Sequence, residues 1–250
     1  CSKAIEYNLE KPEPDIVELD PEVYWRAAVE AIGEILKSTN VDSRRIKALG
    51  VTSQGETLVV LDKDGRPLRK AIVWLDNRAR DEAAAIGESF GRELVHKTTG
   101  QQDSTPGLPA AKILWMKRRE PEVFSKAAKF LMLGDYLTYR LTGAFATDHA
   151  LCPSTLYYDL RNGRWWDEML DFLEISRNQL PTLLDSGSVA GRVRADVGLS
   201  RDTVVTVAPI DQISSAVGAG NIAPGMVTET TGCALAVCAS RSEEHTSELQ

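Results

Sequence analysis

The chain has 250 residues, of which 43% are hydrophobic and 26% are charged, and its formal net charge is -7 at pH 7. This length can bury a full hydrophobic core, and the composition is ordinary for a globular protein. The negative charge argues against nucleic acid and anionic membranes as partners. No apolar run reaches the roughly 20 residues that a membrane span needs.

The cysteines and histidines do not form a metal-binding pattern. Cys1, Cys152, Cys233 and Cys238 lack Cys-x-x-Cys spacing, and the three histidines are scattered along the chain. We therefore expect no metal site built from these residues and reduced thiols, which makes the cytoplasm the default compartment.

The first half of the chain predicts a helix, short strands and another helix. Residues 20–39 open with Asp-Pro and carry apolar residues at helical spacing, which predicts an amphipathic helix. A short strand, ALGVTS (48–53), precedes a hairpin over residues 58–75 with its turn at residues 62–65. Residues 79–95 predict the next helix.

The second half continues this alternation. Two consecutive helices meet at residues 119–121, and a third helix ends on Gly143, a residue that favours helix termination. A short hairpin around residues 162–163 leads into another helix, and the β-branched TVVTVAPI (203–210) predicts a strand. Strands that alternate with helices indicate an α/β fold.

The two ends of the chain differ from its interior. The chain starts without Met in a polar stretch, and RSEEHTSELQ (241–250) breaks abruptly from the apolar segment before it. We expect a chain that is incomplete at both ends, with residues 241–250 as a non-native tail resembling a translated sequencing adapter. A solvated polar tail is the alternative. Residues 1–225 show neither repeat nor linker, which predicts one domain.

One acidic residue lies where a predicted strand passes into a helix. In APIDQISSAVGAG, Asp211 follows the apolar strand and precedes a run of small residues. Ligands of open α/β sheets bind beyond the carboxyl ends of strands, and small residues let a ligand approach the backbone. Capping of the helix is the alternative role for Asp211. Both roles can coexist, since a helix N-terminus favours an ionised carboxylate.

Polar side chains also follow two other predicted strands. Gln54 and Glu56 come after ALGVTS, and Trp74 and Asp76 end the hairpin. Carboxylates and amides bind hydroxyls while an indole covers C–H faces, so the group suits a polyhydroxylated ligand. Each has a structural alternative: Trp74 as core, Glu56 as a solvated loop residue, and Asp76 as the partner of a neighbouring arginine.

Several long stretches resemble the FGGY carbohydrate kinases, the family of sugar and polyol kinases. They are GVTSQGETLVVLDKDGRPLRKAIVWLDNRA, GLPAAKILWMKRREPEVF, KFLMLGDYLTYRLTGAFATDHALCPSTLYYD, GRWWDEMLDFLEISRNQLPTL and APIDQISSAVGAGNIAPGMV. The resemblance runs from about residue 20 to 240, and it includes Lys112 and Trp115 in the second stretch.

The resemblance implies an α/β, ribonuclease H-like domain of the actin-like ATPase superfamily, with a mixed sheet flanked by helices. Residues 1–225 would be the sugar-binding domain without its first hairpin, and residues 226–240 the start of the ATP- and Mg²⁺-binding domain. Asp211 would be the catalytic base. The implied sugar contacts are Gln54, Glu56, Trp74, Asp76 and Gln212. TETTGCA resembles a phosphate-binding turn, which implies ATP contacts from Thr231, Gly232 and Cys233, although Cys233 stands where Thr is expected.

Two departures bear on the substrate. Gly55 and Gly107 stand where glycerol kinases carry Arg and Tyr, which predicts a larger pocket and favours a xylulose-like ketopentose. Glycerol kinase activity and a non-catalytic, actin-superfamily sugar-binding or sensor module are the alternatives. The resemblance also implies an inactive fragment when the ATP-binding domain is absent, and full-length relatives are often dimers.

Overall fold

The computed structural model describes residues 1–231 and 235–241. The helices of this part of the chain are α1 (Pro21–Thr39), α2 (Arg80–Phe90), α3 (Arg92–Thr99), α4 (Pro109–Arg119), α5 (Pro121–Lys126), α6 (Leu133–Thr142), α7 (Asp167–Leu173) and α8 (Asp211–Gly218). Its strands are β1 (Glu10–Glu13), β2 (Ile16–Leu19), β3 (Ala48–Val51), β4 (Leu58–Leu61), β5 (Ala71–Ile72), β6 (Lys129–Met132), β7 (Ala146–Asp148), β8 (Tyr158–Asp159), β9 (Arg164–Trp165), β10 (Thr182–Leu184), β11 (Val189–Arg192), β12 (Val204–Val207), β13 (Val227–Thr231) and β14 (Leu235–Ala239).

A five-stranded antiparallel sheet forms the centre of the larger core. Its order is β1-β2-β5-β4-β6, and all four residues of β4 are buried. Side chains alternate between the faces of a strand, so Leu58 and Val60 join the core beneath α2 and α4, while Val59 and Leu61 join the opposite core with Tyr136 of α6. Both faces of the sheet are therefore covered, which explains the uninterrupted apolar run of β4.

A mixed three-stranded sheet, β11-β12-β3, carries the polar strand ends. β12 and β3 are parallel, with Val204 opposite Ala48 and Val207 opposite Val51. Their carboxyl ends therefore reach the same edge of the sheet, and the chain continues from that edge into Gln54 on one side and into α8 on the other.

Most predicted elements are present. The helices at residues 20–39, 109–119, 121–126 and 133–142 and the hairpins around residues 58–75 and 162–163 are confirmed. Residues 129–132 form strand β6, which the sequence did not predict. The helix predicted over residues 79–95 is wrong as a single element, because Gly91 takes a positive φ of 73° and separates α2 from α3.

The last elements expose apolar side chains. Ile213 and Val217 of α8, Val227 of β13 and Leu235 and Val237 of β14 are all exposed. This end of the described chain therefore presents apolar side chains to solvent. Within residues 1–231 and 235–241, no helix combines the length and the apolar character that crossing a membrane requires.

Candidate active site

The loops after β3 and β12 are tied together at the shared sheet edge. The backbone N–H of Asp211 donates to the carbonyl oxygen of Ser53 at 3.0 Å. The Thr52 hydroxyl donates to the carbonyl oxygen of Pro209 at 2.8 Å. These two bonds hold the start of α8 against the segment that leads to Gln54 and Glu56, so the predicted base and the predicted polar loop lie side by side.

Asp211 is the first residue of α8, and Ile210 occupies the N-cap position. The Asp211 side chain is exposed, and its Oδ1 accepts from the backbone N–H of Gln212 at 2.8 Å. A capping side chain would instead accept from the second or third helical residue. Asp211 therefore lies in the first helical turn, where the helix dipole favours a carboxylate, and Gln212 follows it half-buried.

Glu56 lies at the centre of a tight turn. Its φ is 55°, and the Thr57 N–H donates to the carbonyl oxygen of Gly55 at 2.6 Å across it. A positive φ at a residue with a side chain is strained, and such strain is concentrated at functional sites. Burial raises the pKa of the Glu56 carboxyl, the Lys112 ammonium lowers it, and the neighbouring Asp211 carboxylate raises it. The two acids are thus close enough to repel each other.

Lys112 of α4 connects the two polar loops from beneath. It is fully buried, and its Nζ donates to the carbonyl oxygens of Glu56 at 2.6 Å and Val73 at 3.0 Å. Burial lowers the pKa of this amine from 10.5 to about 7, although Asp76 and Glu56 oppose the shift. The sequence marked Lys112 as part of a family motif but gave it no role; the structure places it as the clamp behind Glu56 and Trp74.

Gln54 and Trp74 share one hydroxyl. The Oγ1 of Thr57 accepts from Gln54 Nε2 at 2.9 Å and from the Trp74 backbone N–H at 3.1 Å. The Trp74 side chain is half-buried against the core that contains Val73. The structure therefore links the segments of Gln54, Glu56, Trp74 and Asp211 through direct hydrogen bonds and one buried amine.

Asp76 is engaged within the protein. Its Oδ2 accepts from the Val17 N–H at 2.6 Å and from Arg78 Nη2 at 2.7 Å, and its Oδ1 accepts from Arg78 Nε at 2.9 Å. The Arg78 guanidinium also lies 4.9 Å from the ring centre of Trp115 and pairs with Glu18 at 2.8 Å. The salt-bridge alternative is therefore realised: Asp76 fixes the loop after β5, and a direct sugar contact by this fully buried carboxylate stays a prediction.

A groove of about 360 Å³ opens beside the base. Its polar lining comes from Gln54, Thr52, Ser53 and Asp211, and its apolar lining from α1, α6, Ile5 and Tyr7. Glu56 and Trp74 lie outside this lining. The volume falls within the range of small-molecule sites, and the groove places Asp211 and Gln54 on one concave surface.

The two glycines do not leave open space at their Cβ positions. A Cβ on Gly55 would lie 2.5 Å from Cδ1 of Ile210, and a Cβ on Gly107 would lie 3.2 Å from the Trp74 carbonyl oxygen. Ile210 therefore occupies the space beside Gly55, and the expected enlargement of the pocket stays a prediction.

The predicted phosphate turn is only partly described. Thr231 ends β13, is exposed, and donates its hydroxyl to Glu229 Oε1 at 2.9 Å, whereas Gly232 and Cys233 lie outside the described residues. Within residues 1–231 and 235–241, no cluster of three or more His, Cys, Asp or Glu side chains could hold a metal ion.

Two buried acids lie behind the strand ends. Asp135 and Asp148 border a small cavity that Ser53 and Ala208 also line. Asp135 Oδ2 accepts from the Met132 N–H at 2.9 Å, and burial raises the pKa of its carboxyl from 3.8 to about 7. Asp148 Oδ2 is buried without a hydrogen-bond partner. Ionisation of Asp135 is thus costly close to the loops that carry the site.

Comparisons with known proteins match this geometry to one family. The model for the FGGY family of carbohydrate kinases, N-terminal domain, matches residues 1–218. The xylulose kinase of Bacillus subtilis (strain 168) is 32% identical over 212 residues, which are 83% of this chain and 42% of that protein. The glycerol kinase of Thermococcus kodakarensis is 32% identical over 225 residues, which are 88% and 45%.

A solved structure agrees with these relatives. The gluconate kinase from Lactobacillus acidophilus superposes with a TM-score of 0.85 at 27% identity, over 92% of this chain and 47% of that one. The fold is that of the N-terminal domain of carbohydrate kinases, with the α/β, actin-like architecture that the sequence predicted. The chain belongs to the FGGY family of carbohydrate kinases and spans less than half the length of these relatives.

Proposed function

We propose that the protein containing this chain transfers the γ-phosphoryl group of ATP to a hydroxyl of a small sugar or polyol. The carrying observation is the convergence of Asp211 and the Gln54–Glu56 loop at one sheet edge, where the Asp211 N–H donates to the Ser53 carbonyl oxygen at 3.0 Å. A relative named xylulose kinase and a relative named glycerol kinase are equally similar to this chain, at 32% identity each. A xylulose-like ketopentose is our preferred substrate and glycerol the alternative.

Asp211 would accept the proton of the attacking hydroxyl. A water-like hydroxyl has a pKa of about 15.7 and an ordinary aspartic acid about 3.9, a gap worth roughly 16 kcal/mol. A carboxylate therefore cannot remove this proton before attack. It would orient the hydroxyl and receive the proton late, as a loose phosphoryl-transfer transition state allows.

The other residues would position the sugar. The exposed face of Trp74 suits C–H groups, and the amides of Gln54 and Gln212 suit hydroxyls. Glu56 would accept a sugar hydroxyl from a strained turn that Lys112 holds in place by its bond to the Glu56 carbonyl oxygen at 2.6 Å. Such preset positions remove part of the entropy cost of reaction.

ATP and Mg²⁺ would be held mainly by residues beyond this chain. The described residues contain no cluster of three acidic, His or Cys side chains, so Mg²⁺ is not assigned to them. When bound, it would neutralise phosphate charge. Thr231, Gly232 and Cys233 are the proposed phosphate contacts. We expect the chain alone to bind sugar without kinase activity.

The free thiols of Cys152 and Cys238 support a reducing, cytoplasmic setting.

Calorimetric titration of the chain with D-xylulose and with glycerol tests this proposal. We expect D-xylulose to bind more tightly, and Glu56→Gln and Trp74→Ala each to weaken binding at least about tenfold, since each removes a predicted sugar contact. Asp202→Asn, whose side chain is 90% exposed, is the matched control and should bind normally. Glycerol binding more tightly would select the alternative substrate. If both sugars fail to bind, the proposal is wrong.

Turnover measured with the full gene product distinguishes a kinase from a non-catalytic sensor. A coupled assay with ATP and each sugar should give sugar-dependent ADP formation. Sugar binding without turnover in that protein would select the non-catalytic sensor.

A further inference from the structure

Glycine at position 55 is favoured by a close approach of Ile210 and not by its backbone angles. Gly55 is absent from the positive-φ glycines, but a Cβ there would meet Ile210 Cδ1 at 2.5 Å, Ile210 Cγ1 at 3.4 Å and Ser154 Oγ at 3.2 Å. A Cβ atom is essentially never found at 2.5 Å from a non-bonded heavy atom of another residue. The side chain of Ile210 therefore takes the volume that a side chain at position 55 would use.

Ile210 is placed between the two loops of the site. It precedes Asp211 directly as the N-cap residue of α8 and is half-buried. Gly55, against which it packs, lies between Gln54 and Glu56 in the sequence. An apolar, β-branched side chain, which can neither donate nor accept a hydrogen bond, thus packs on the loop of Gln54 and Glu56 directly before Asp211.

We infer that Ile210 is a specificity-determining residue that forms an apolar wall of the sugar site, an inference that rests on the proposed function. The wall lies between the base Asp211 and the loop of Glu56. The substrate class that fits it is a carbohydrate that turns a carbon–hydrogen face, and not a hydroxyl, toward Ile210.

The chemistry of the wall sets the selectivity. A hydroxyl pressed against Ile210 loses its water partners and gains none, which disfavours that ligand. An apolar pocket rejects an added hydroxyl by about 10²-fold at most. D-Xylulose and D-ribulose differ only in the configuration at carbon 3, so one turns a C–H bond where the other turns a hydroxyl.

A double-mutant cycle tests the packing of Ile210 on Gly55. Ile210→Val deletes Cδ1, the atom at 2.5 Å from the added Cβ, and keeps the β-branched wall. We expect Gly55→Ala to weaken D-xylulose binding at least about fivefold when Ile210 is unaltered. Combined with Ile210→Val, the same Gly55→Ala change should cost less than about twofold, because Ser154 Oγ then remains the main neighbour. Calorimetry gives the binding constants, and melting curves identify any variant that fails to fold.

The epimer pair tests the class of substrate. We expect at least about tenfold discrimination between D-xylulose and D-ribulose by the unaltered chain. Ile210→Thr has the shape of Ile210→Val but offers a hydroxyl, so it should narrow that ratio by at least about threefold relative to Ile210→Val. The role of Ile210 is overturned if Gly55→Ala weakens D-xylulose binding equally with and without Ile210→Val. It is also overturned if Ile210→Thr leaves the ratio of the two epimer affinities unchanged. Both outcomes leave the proposed function intact. Failure of the unaltered chain to bind any sugar overturns both.

Discussion

Replacement of the buried amine of Lys112 by Met should remove a specific pH dependence of stability. The folded chain releases the Lys112 proton near pH 7, whereas the unfolded chain keeps it to about pH 10.5. Between these values the unfolded state binds more protons, so the free energy of unfolding rises with pH. Each pKa unit is worth about 1.36 kcal/mol, and titration near pH 7 is partial, so the gain from pH 7 to pH 9 is about 2 kcal/mol.

Urea denaturation of the unaltered chain and of Lys112→Met at pH 7 and pH 9 measures this gain. All other groups titrate in both proteins, so the difference between the two pH dependences isolates Lys112. We expect the unaltered chain to gain about 2 kcal/mol more than the variant, which is about 4–8 °C in melting temperature for a chain of this size.

The same variant should lose sugar affinity. Without Nζ, the carbonyl oxygens of Glu56 and Val73 lose the donor that links their loops at 2.6 and 3.0 Å. We expect D-xylulose binding at pH 9 to weaken at least about tenfold. Parallel pH dependences in the two proteins, to within about 0.5 kcal/mol, would refute the reasoning about Lys112, because a solvated lysine gives no such difference.

Three further substitutions have defined outcomes. Asp135→Asn should flatten the pH dependence of the free energy of unfolding between pH 5 and 7. The folded pKa of Asp135 is about 7, so the native state binds more protons than the unfolded state in this range. The free energy of unfolding of the unaltered chain therefore falls by about 2 kcal/mol as pH rises. Unchanged slopes would contradict this. Arg78→Lys loses the bidentate hydrogen bonds to the buried Asp76 carboxylate and should lower the melting temperature by about 3–8 °C. Arg177→Lys, at an exposed arginine, should leave the melting temperature nearly unchanged. Equal effects of the two substitutions would count against a stabilising role of the buried network. Gly65→Ala should destabilise by about 1–3 kcal/mol in the same assay, because φ is 76° and a Cβ would lie 1.9 Å from the Tyr139 hydroxyl oxygen; a neutral result would show that the turn relaxes.

The sequence predicted which strand ends carry the candidate site, because the signals for a strand end and for the start of a helix are local. A β-branched run followed by an acid and small residues marks a strand that passes into a helix, and parallel strands bring their carboxyl ends together. This logic placed Asp211 beside Gln54, and the Asp211 N–H to Ser53 carbonyl bond shows that neighbourhood directly. The helices were predictable for the same reason, since periodicity and end signals are local.

Other features depend on distant partners. β1 is fully exposed and polar, so only its pairing with β2 makes it a strand, and KFLM of β6 is too short an apolar run to tell strand from helix. Lys112 donates to the carbonyl oxygens of Val73, 39 positions earlier in the sequence, and of Glu56, 56 positions earlier. The contact between Gly55 and Ile210 likewise depends on the folded chain, so the sequence could not predict it.

Turnover of Asp211→Asn in the full gene product tests the central claim most directly. The Asn side chain keeps the size of Asp211 but cannot take the proton. We expect ATP- and sugar-dependent turnover to fall by roughly 10² to 10⁴-fold, while sugar affinity changes less than about threefold. Turnover within a few-fold of the unaltered enzyme would contradict the assignment of Asp211 as the base.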